Sequence, residues 1–391
     1  MKSAGGGRNL PSAELALILI EPSLCRSINL SCEGKSNQTK EEDSMKFYTK
    51  QHNYYCGIDL HARTMYLCII DSTGQVVLHK NMKANPKALA KAIKPFQDEL
   101  YIAVECMFTW YWVADFCEDN NIPFVLGHAL YMKAIHGGKA KNDKIDSYKI
   151  ASLLRGGTFP MAYVYPRSMR STRDLLRRRM HLMRKRAELL AHIHNTNSQY
   201  NLPEIGKNLR YKRNRSLVEN RFDDQSVQKS VDMDVELINF YDEKLSSVEW
   251  YILKHAKTHD YHSYMLLKSF PGIGDIISLV ILYEIDDINR FPKVQDFASY
   301  ARLVKCKAES AGKTYGTSGA KIGNAHLKWA FSEAAVLFLR CNPKAKAYVE
   351  KLAKRHGKGK ALSILAHKIG RAVYFILKRK EPYNADLFLP V

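Results

Sequence analysis

The sequence predicts a chain of mixed class: an α/β domain followed by all-α regions. Three observations carry this. Between residues 54 and 160, short apolar runs come first as hairpin-like strands and then alternate with helical patterns. Between 167 and 258, apolar residues recur at steps of three and four. Beyond 263 the periodicity is helical again, on strongly basic segments. The 391 residues and 46% apolar content allow two or three domains with real cores and exclude overall disorder.

The elements follow in order. Tyr54 to Leu60 and Thr64 to Ile70 read as strands. Asp71-Ser-Thr-Gly74 supplies a turn, and Gln75 to His79 a third strand. Residues 86–98 read as a helix with Pro86 in its first turn. Leu100 to Glu105 is a buried strand, Trp110 to Asn120 a helix, Pro123 to Leu126 a short strand and Asp143 to Leu154 a helix. The order β-β-β-α-β-α-β-α is ribonuclease-H-like. Leu175, Leu182 and Leu189 repeat every seven residues, beside Leu176, Met183 and Leu190. Ile238, Tyr241, Leu245, Val248 and Ile252 continue the pattern. This coiled-coil spacing predicts an antiparallel helical arm, joined by a polar, basic loop at 201–224 and suited to oligomerisation. The last unit opens on the turn Phe270-Pro-Gly-Ile-Gly274 and carries a Gly/Ser/Lys-rich loop at 308–324. The expected domains are 45–160, 161–260 and 261–391. Residues 1–44 are Ser-, Gly- and Asn-rich and lead nowhere. The codons of Lys40-Glu-Glu-Asp-Ser-Met45 could spell a ribosome-binding site. Met45 is therefore the expected start, and 1–44 a non-native or disordered extension.

The formal charge of +21 points to a polyanionic partner, nucleic acid before an anionic membrane surface. No apolar run is long enough to span a bilayer. Eight cysteines without a CxxC pair suggest a reduced, cytoplasmic thiol set.

Four carboxylates raise the chemical question. Asp59 lies within the apolar strand CGIDL, and Glu105 ends the strand YIAVE. An acid there is costly to bury without a partner or a cation. In a ribonuclease-H-like order their strands are neighbours, and the helix from residue 143 brings Asp143 and Asp146, three apart on one face, to the same point. Four such groups repel one another unless they hold hard cations, Mg²⁺ or Mn²⁺. Two such ions would activate an attacking oxygen and stabilise a leaving oxygen at a phosphodiester. The plainer reading of Asp143 is a helix cap or a macrodipole partner. His61 is placed either to touch the site or to pack. Asp71, Asp98, Glu99, Asp115, Glu118 and Asp119 read as turn and surface acids.

From Arg167 to Arg186 nine Lys/Arg stand against one acid, Asp174. Arg177, Arg178, Arg184 and Arg186 flank the leucine stripe. One sign at this density repels itself on a helix, and a phosphate backbone would relieve it. Residues 344–380 hold twelve Lys/Arg against Glu350, densest around Lys354 and Arg355. Lys313 and Lys321 add charge to the 308–324 loop. Gly272 and Gly274 suit either a helix-hairpin-helix grip on phosphate or a tight turn capping a helix. Trp110, Tyr111 and Trp112 either stack on bases or pack a helix on the sheet.

The segments GIDLHARTMYLCIID, VECMFTWYWVADF and KAKNDKIDSYKIASLLR resemble the DEDD transposases of bacterial insertion sequences, family one-hundred-and-ten. So do FPGIGDIISLVILYEIDDINRFPKVQDFASYARL and AESAGKTYGTSGAKIGNAHLKWAFSEAAVLFLR. The resemblance covers roughly residues 54–380. It implies a RuvC-like domain whose acidic tetrad, Asp59, Glu105, Asp143 and Asp146, binds Mg²⁺. It implies a C-terminal transposase domain whose serine, Ser310 by match, forms a covalent phosphoserine link to DNA. Ser318 is the runner-up. It also implies a structured guide RNA that pairs with donor and target DNA, and dimers that assemble into tetramers, the acids of one subunit facing the serine of another. Such a protein would be cytoplasmic, acting at the nucleoid. Two other readings stay open: a structure-selective nuclease using water, and a non-catalytic nucleic-acid-binding protein.

Overall fold

The computed structural model describes residues 46–135, 142–256, 260–318, 322–340 and 342–389. The expected extension at 1–44 and Lys321 lie outside the described residues. The chain divides into two compact units at Arg170/Ser171.

The first unit is built on a five-stranded sheet. Its strands are β2 (Tyr54–Leu60), β3 (Thr64–Asp71), β4 (Val76–Lys83), β5 (Leu100–Glu105) and β6 (Phe124–Gly127). They lie in the order β4-β3-β2-β5-β6. β2, β3 and β4 pair antiparallel, as short turns require; β5 and β6 add in parallel. The β3–β4 turn follows its sequence: the Asp71 carboxylate accepts from Thr73 N and Gln75 N, both at 2.9 Å, and Gly74 has φ +94°. Parallel strands need crossovers, and helices α1 (Pro86–Ile93) and α2 (Tyr111–Asp119) supply them. Short α3 (Ala129–Ile135) follows β6, and α4 (Asp143–Arg155) covers the opposite face. A two-stranded ribbon of β1 (Phe47–Tyr48) and β7 (Phe159–Pro160) closes the unit. The result is three layers. Cys56, Ile58, Ile102 and Val104 face Leu89, Ile93, Val113 and Cys117 of α1 and α2. Tyr55, Ala103, Ile150, Ala151 and Leu154 fill the α4 side. This architecture is compatible with a ribonuclease-H-like core.

The second unit is mainly helical. Helix α5 (Arg167–Gln199) enters it from Ser171 and runs antiparallel to α6 (Gln225–His255). Ion pairs record the direction: Arg179 meets Glu249 at 2.6 Å, Arg186 meets Asp242 at 2.6 Å and His192 meets Asp234 at 2.5 Å. The buried stripe Val231, Ile238, Leu245, Ile252 keeps a seven-residue step. The segment between these helices is more ordered than its composition suggests. Ile205, Leu209, Val218 and Phe222 form a small core with Ile193, and the Arg215 guanidinium is buried against Asp242 and Asn239. Further on, α7 (Tyr261–Lys268), α8 (Asp275–Ile285), α9 (Val294–Tyr300), α10 (Ala325–Arg340), α11 (Pro343–His356), α12 (Lys358–Arg379) and α13 (Ala385–Phe388) follow. Residues 277–285 of α8 are all buried, as an all-round apolar helix must be. Where the composition predicts a loop at 308–324, strands β8 (Cys306–Ser310) and β9 (Lys313–Ser318) form a hairpin. Its two-residue turn explains this. Ala311 and Gly312 both take positive φ, +49° and +73°, as a twisted hairpin needs.

Among the described residues, no helix is long and apolar enough to cross a membrane.

Candidate acidic active site

Register fixes the faces of the first unit. Ile58 pairs with Val104 across the parallel ladder, so the next residue on each strand, Asp59 and Glu105, points to the same side. That side carries Tyr55 and Ala103, hence α4. Gly57 lets the helix come this close. A Cβ there would meet the Ser147 carbonyl at 2.3 Å and Ala151 N at 2.4 Å. From the far strand, His79 Nε2 holds the first turns of α4, lying 2.9 Å from the Lys144 carbonyl and 3.2 Å from Ser147 Oγ. Burial lowers the His79 pKa, and the Lys144 charge adds to this against the opposing carbonyl bond.

The N-terminus of α4 thus arrives beside the ends of β2 and β5. Asp59 Oδ2 lies 3.6 Å from His61 Nε2, and Asp143 Oδ2 lies 3.3 Å from the same nitrogen. Ligand atoms of Asp59, His61 and Asp143 all lie within 4.8 Å of one another, the one such His/Cys/Asp/Glu group among the described residues. Two carboxylates bridged by one imidazole nitrogen, at more than charge-assisted hydrogen-bonding distance, fit a divalent cation. Glu105 shares the face from the adjacent strand but is not in this close group. Asp146 sits one turn along α4 and pairs with Lys149 at 3.3 Å. The structure therefore brings Asp59 and Asp143 together with His61, a close group that does not include Glu105 or Asp146.

Ser310 lies in the second unit, exposed on the β8–β9 hairpin, where it pairs with exposed Lys313 beside the turn. Ser318 ends β9. Of the basic residues, Arg177 Nε binds Glu284 at 2.6 Å and Arg173 Nη2 binds it at 2.9 Å. Asn324 Nδ2, from the cap of α10, donates to the same carboxylate at 2.8 Å. Burial would raise the Glu284 pKa, but Arg177, Arg173 and Asn324 together hold it below the usual carboxylate range. Beside it, burial lowers the His326 pKa to about 4. Arg186 is engaged by Asp242. Much of the repulsion read along this helix is thus relieved by carboxylates from distant parts of the chain. Arg178, Arg184, Lys354 and Arg355 are exposed. Gly272, at φ +94°, packs under α10, since a Cβ would meet Phe338 N at 2.7 Å. Gly274 precedes α8 with open space around it, but Asp275 follows and pairs with Lys268 at 2.6 Å. Trp110 is buried in the sheet–helix core beneath Arg170.

A family profile described as "Transposase IS116/IS110/IS902 family" matches residues 264–350. A second, the DEDD transposase profile of the IS110 group, matches residues 56–201 and so includes Asp59, His61, Glu105, Asp143 and Asp146. Two independent profiles therefore fall in order along one chain, spanning more than half of it.

The chain belongs to the IS110 family of transposases.

A curated relative, "Transposase for insertion sequence element IS1111A" of Coxiella burnetii (strain RSA 493 / Nine Mile phase I), is 22% identical over 339 residues, 84% of this chain and 90% of the relative. Membership in the family implies DNA recombination, and the Asp59–His61–Asp143 group gives this transposase a possible divalent-metal site. The sequence offered His61 either as a residue touching the site or as a packing residue, and Gly57 only as a neighbour of Asp59. What the sequence could not supply was the register that makes one a bridge and the other a seat for α4.

Proposed function

We propose that this transposase cuts and exchanges DNA strands by Mg²⁺- or Mn²⁺-assisted transesterification at Asp59, Glu105, Asp143 and Asp146, with Ser310 as nucleophile. The supporting observation is the meeting of Asp59, His61 and Asp143 on the sheet face shared with Glu105. A bound divalent ion would offset the charge of these carboxylates and of a non-bridging phosphate oxygen. The Ser310 hydroxyl attacks phosphorus, an Oγ–P bond forms as a deoxyribose O–P bond breaks, and a carboxylate base takes the serine proton and passes it to the departing deoxyribose oxygen, which leaves as a hydroxyl. Conserving the phosphodiester as a phosphoserine allows rejoining without an external energy source. Exposure on a tight hairpin suits Ser310 for approaching a backbone phosphate.

The fuller reading takes a guide RNA as the pairing partner of donor and target DNA. It takes the α5–α6 pair as a coiled-coil arm through which dimers form and assemble into tetramers, so that the acids and serine of different subunits meet. Arg178, Arg184, Lys313, Lys354 and Arg355 are the residues that touch the nucleic-acid backbone in this reading.

The test is a trapped adduct. Protein, guide RNA and element-end DNA with Mg²⁺ should give a protein–DNA species that survives denaturation and is absent in Ser310→Ala and Asp59→Asn. Cleavage without an adduct would point instead to a nuclease that uses water.

A further inference from the structure

The most exposed large apolar side chain among the described residues is Phe108, at 82%. It stands three residues beyond Glu105, in the loop between β5 and α2, with half-exposed Met107 beside it. An aromatic ring held in water this fully forgoes the apolar burial that rings ordinarily gain. The loop is nonetheless fixed. Cys106 N donates to the Gly127 carbonyl at 2.9 Å, and Met107 N donates to the Glu105 carbonyl at 2.7 Å. Thr109 Oγ1 donates to the Leu60 carbonyl at 3.2 Å, one residue past Asp59. The next residue, Trp110, is buried in the core. The ring is therefore presented by a segment pinned to both strands that carry candidate metal ligands.

From this placement we infer that Phe108 is a positioning residue for DNA. It stacks on a nucleobase unstacked next to the scissile phosphate and so holds that phosphate over the acidic site. The inference rests on the acidic site acting on DNA, and it adds the chemistry of what is recognised there: the face of a base, without regard to its hydrogen-bonding edge. Where a base beside that phosphate is unstacked, a stacked ring compensates for the base–base stacking given up. The aromatics that the sequence offered for this task, Trp110, Tyr111 and Trp112, are withdrawn into or against the core; Phe108 is the ring left outside.

The experiment uses the full-length protein and a single-stranded DNA carrying 5-iodouracil. Near-ultraviolet irradiation should attach the strand to the peptide containing Phe108, in wild type and in Asp59→Asn alike. In the adduct assay on element-end duplex, Phe108→Ala should lower the yield about five- to a hundredfold, the range one stacked base contributes. Phe108→Tyr should restore it. A mismatch beside the cleavage site should rescue Phe108→Ala, because the base is already unstacked. Crosslinks confined to other peptides, or a wild-type yield from Phe108→Ala, would overturn the inference. So would a Phe108→Ala defect that appears only as altered self-association in sedimentation, which would make the ring a protein contact. Adduct formation by Asp59→Asn would remove the acidic-site reading instead, and the crosslinked peptide would still report on Phe108.

Discussion

Asn142 and Asp143 are neighbours with separable tasks. The Asn142 side chain accepts from Lys144 N at 2.9 Å and so caps α4. Asp143 is left to face His61 and Asp59. Removing the cap should cost stability and little else: Asn142→Ala should lower unfolding stability by about 1 kcal/mol and keep any rise in melting temperature produced by Mn²⁺ or Mg²⁺. Asp143→Asn should do the reverse. It relieves like-charge crowding at Asp59, so melting in chelator should be unchanged or higher, while the metal-induced rise disappears. Thermal melts with and without chelator separate the two, and an Asp143→Asn protein still stabilised by metal would remove Asp143 from the ligand set. At this scale the sequence was ambiguous for a physical reason. An acid in a first helical turn serves the macrodipole as well as a ligand set, and only the identity of the capping side chain tells them apart.

Among the elements, α4 matters most, because its seat on β2 decides where Asp143 stands relative to Asp59. Gly57→Ala would push a methyl into the Ser147 carbonyl and Ala151 N, both backbone atoms that cannot rotate away. The expected loss is about 1–3 kcal/mol of stability. Adduct formation should fall by about a hundredfold, since ångström-scale misplacement of reacting groups has effects of that size. Gly206→Ala, in open space, is the control and should change neither. Melting curves and adduct yields on the two variants decide the matter; full activity in Gly57→Ala would show that the close seat is dispensable. The strands β2 and β5 were legible to the residue, because each is an apolar run bounded by turn residues or ended by an acid. The β8–β9 hairpin was not, because glycine, serine and lysine are common in loops. What fixes a hairpin there is the positive φ at Ala311, which composition does not announce. The α5 arginines were legible as a charge run but not as ion pairs, since Glu284, Glu249 and Asp242 arrive from far along the chain.

Across the whole molecule, a net charge of +21 demands counter-anions, and the structure sorts the basic residues by where theirs come from. Arg173, Arg177, Arg179 and Arg186 have carboxylates of the same chain. Arg178 and Arg184 are on the same helix but exposed. If nucleic acid supplies the anions for the exposed set, substitutions should divide cleanly. Arg178→Glu with Arg184→Glu should weaken DNA binding, with melting unchanged. The slope of log affinity against log salt should fall by roughly one for each phosphate that the protein no longer neutralises. Arg177→Ala should act on the fold instead. It strips a partner from Glu284, which is only 2% exposed, and lowers stability by up to about 3 kcal/mol, Arg173 remaining to limit the loss. Binding titrations across salt, read beside melting curves, test the division. If Arg178 and Arg184 prove silent while Arg177→Ala alone changes the salt slope with melting intact, the buried cluster faces nucleic acid and the sorting is reversed. The division matters beyond these residues, because a transposase must hold its own helices together with the same side-chain chemistry it uses to hold DNA. Carboxylates buried at Glu284 and half-buried at Asp242 keep the two uses apart.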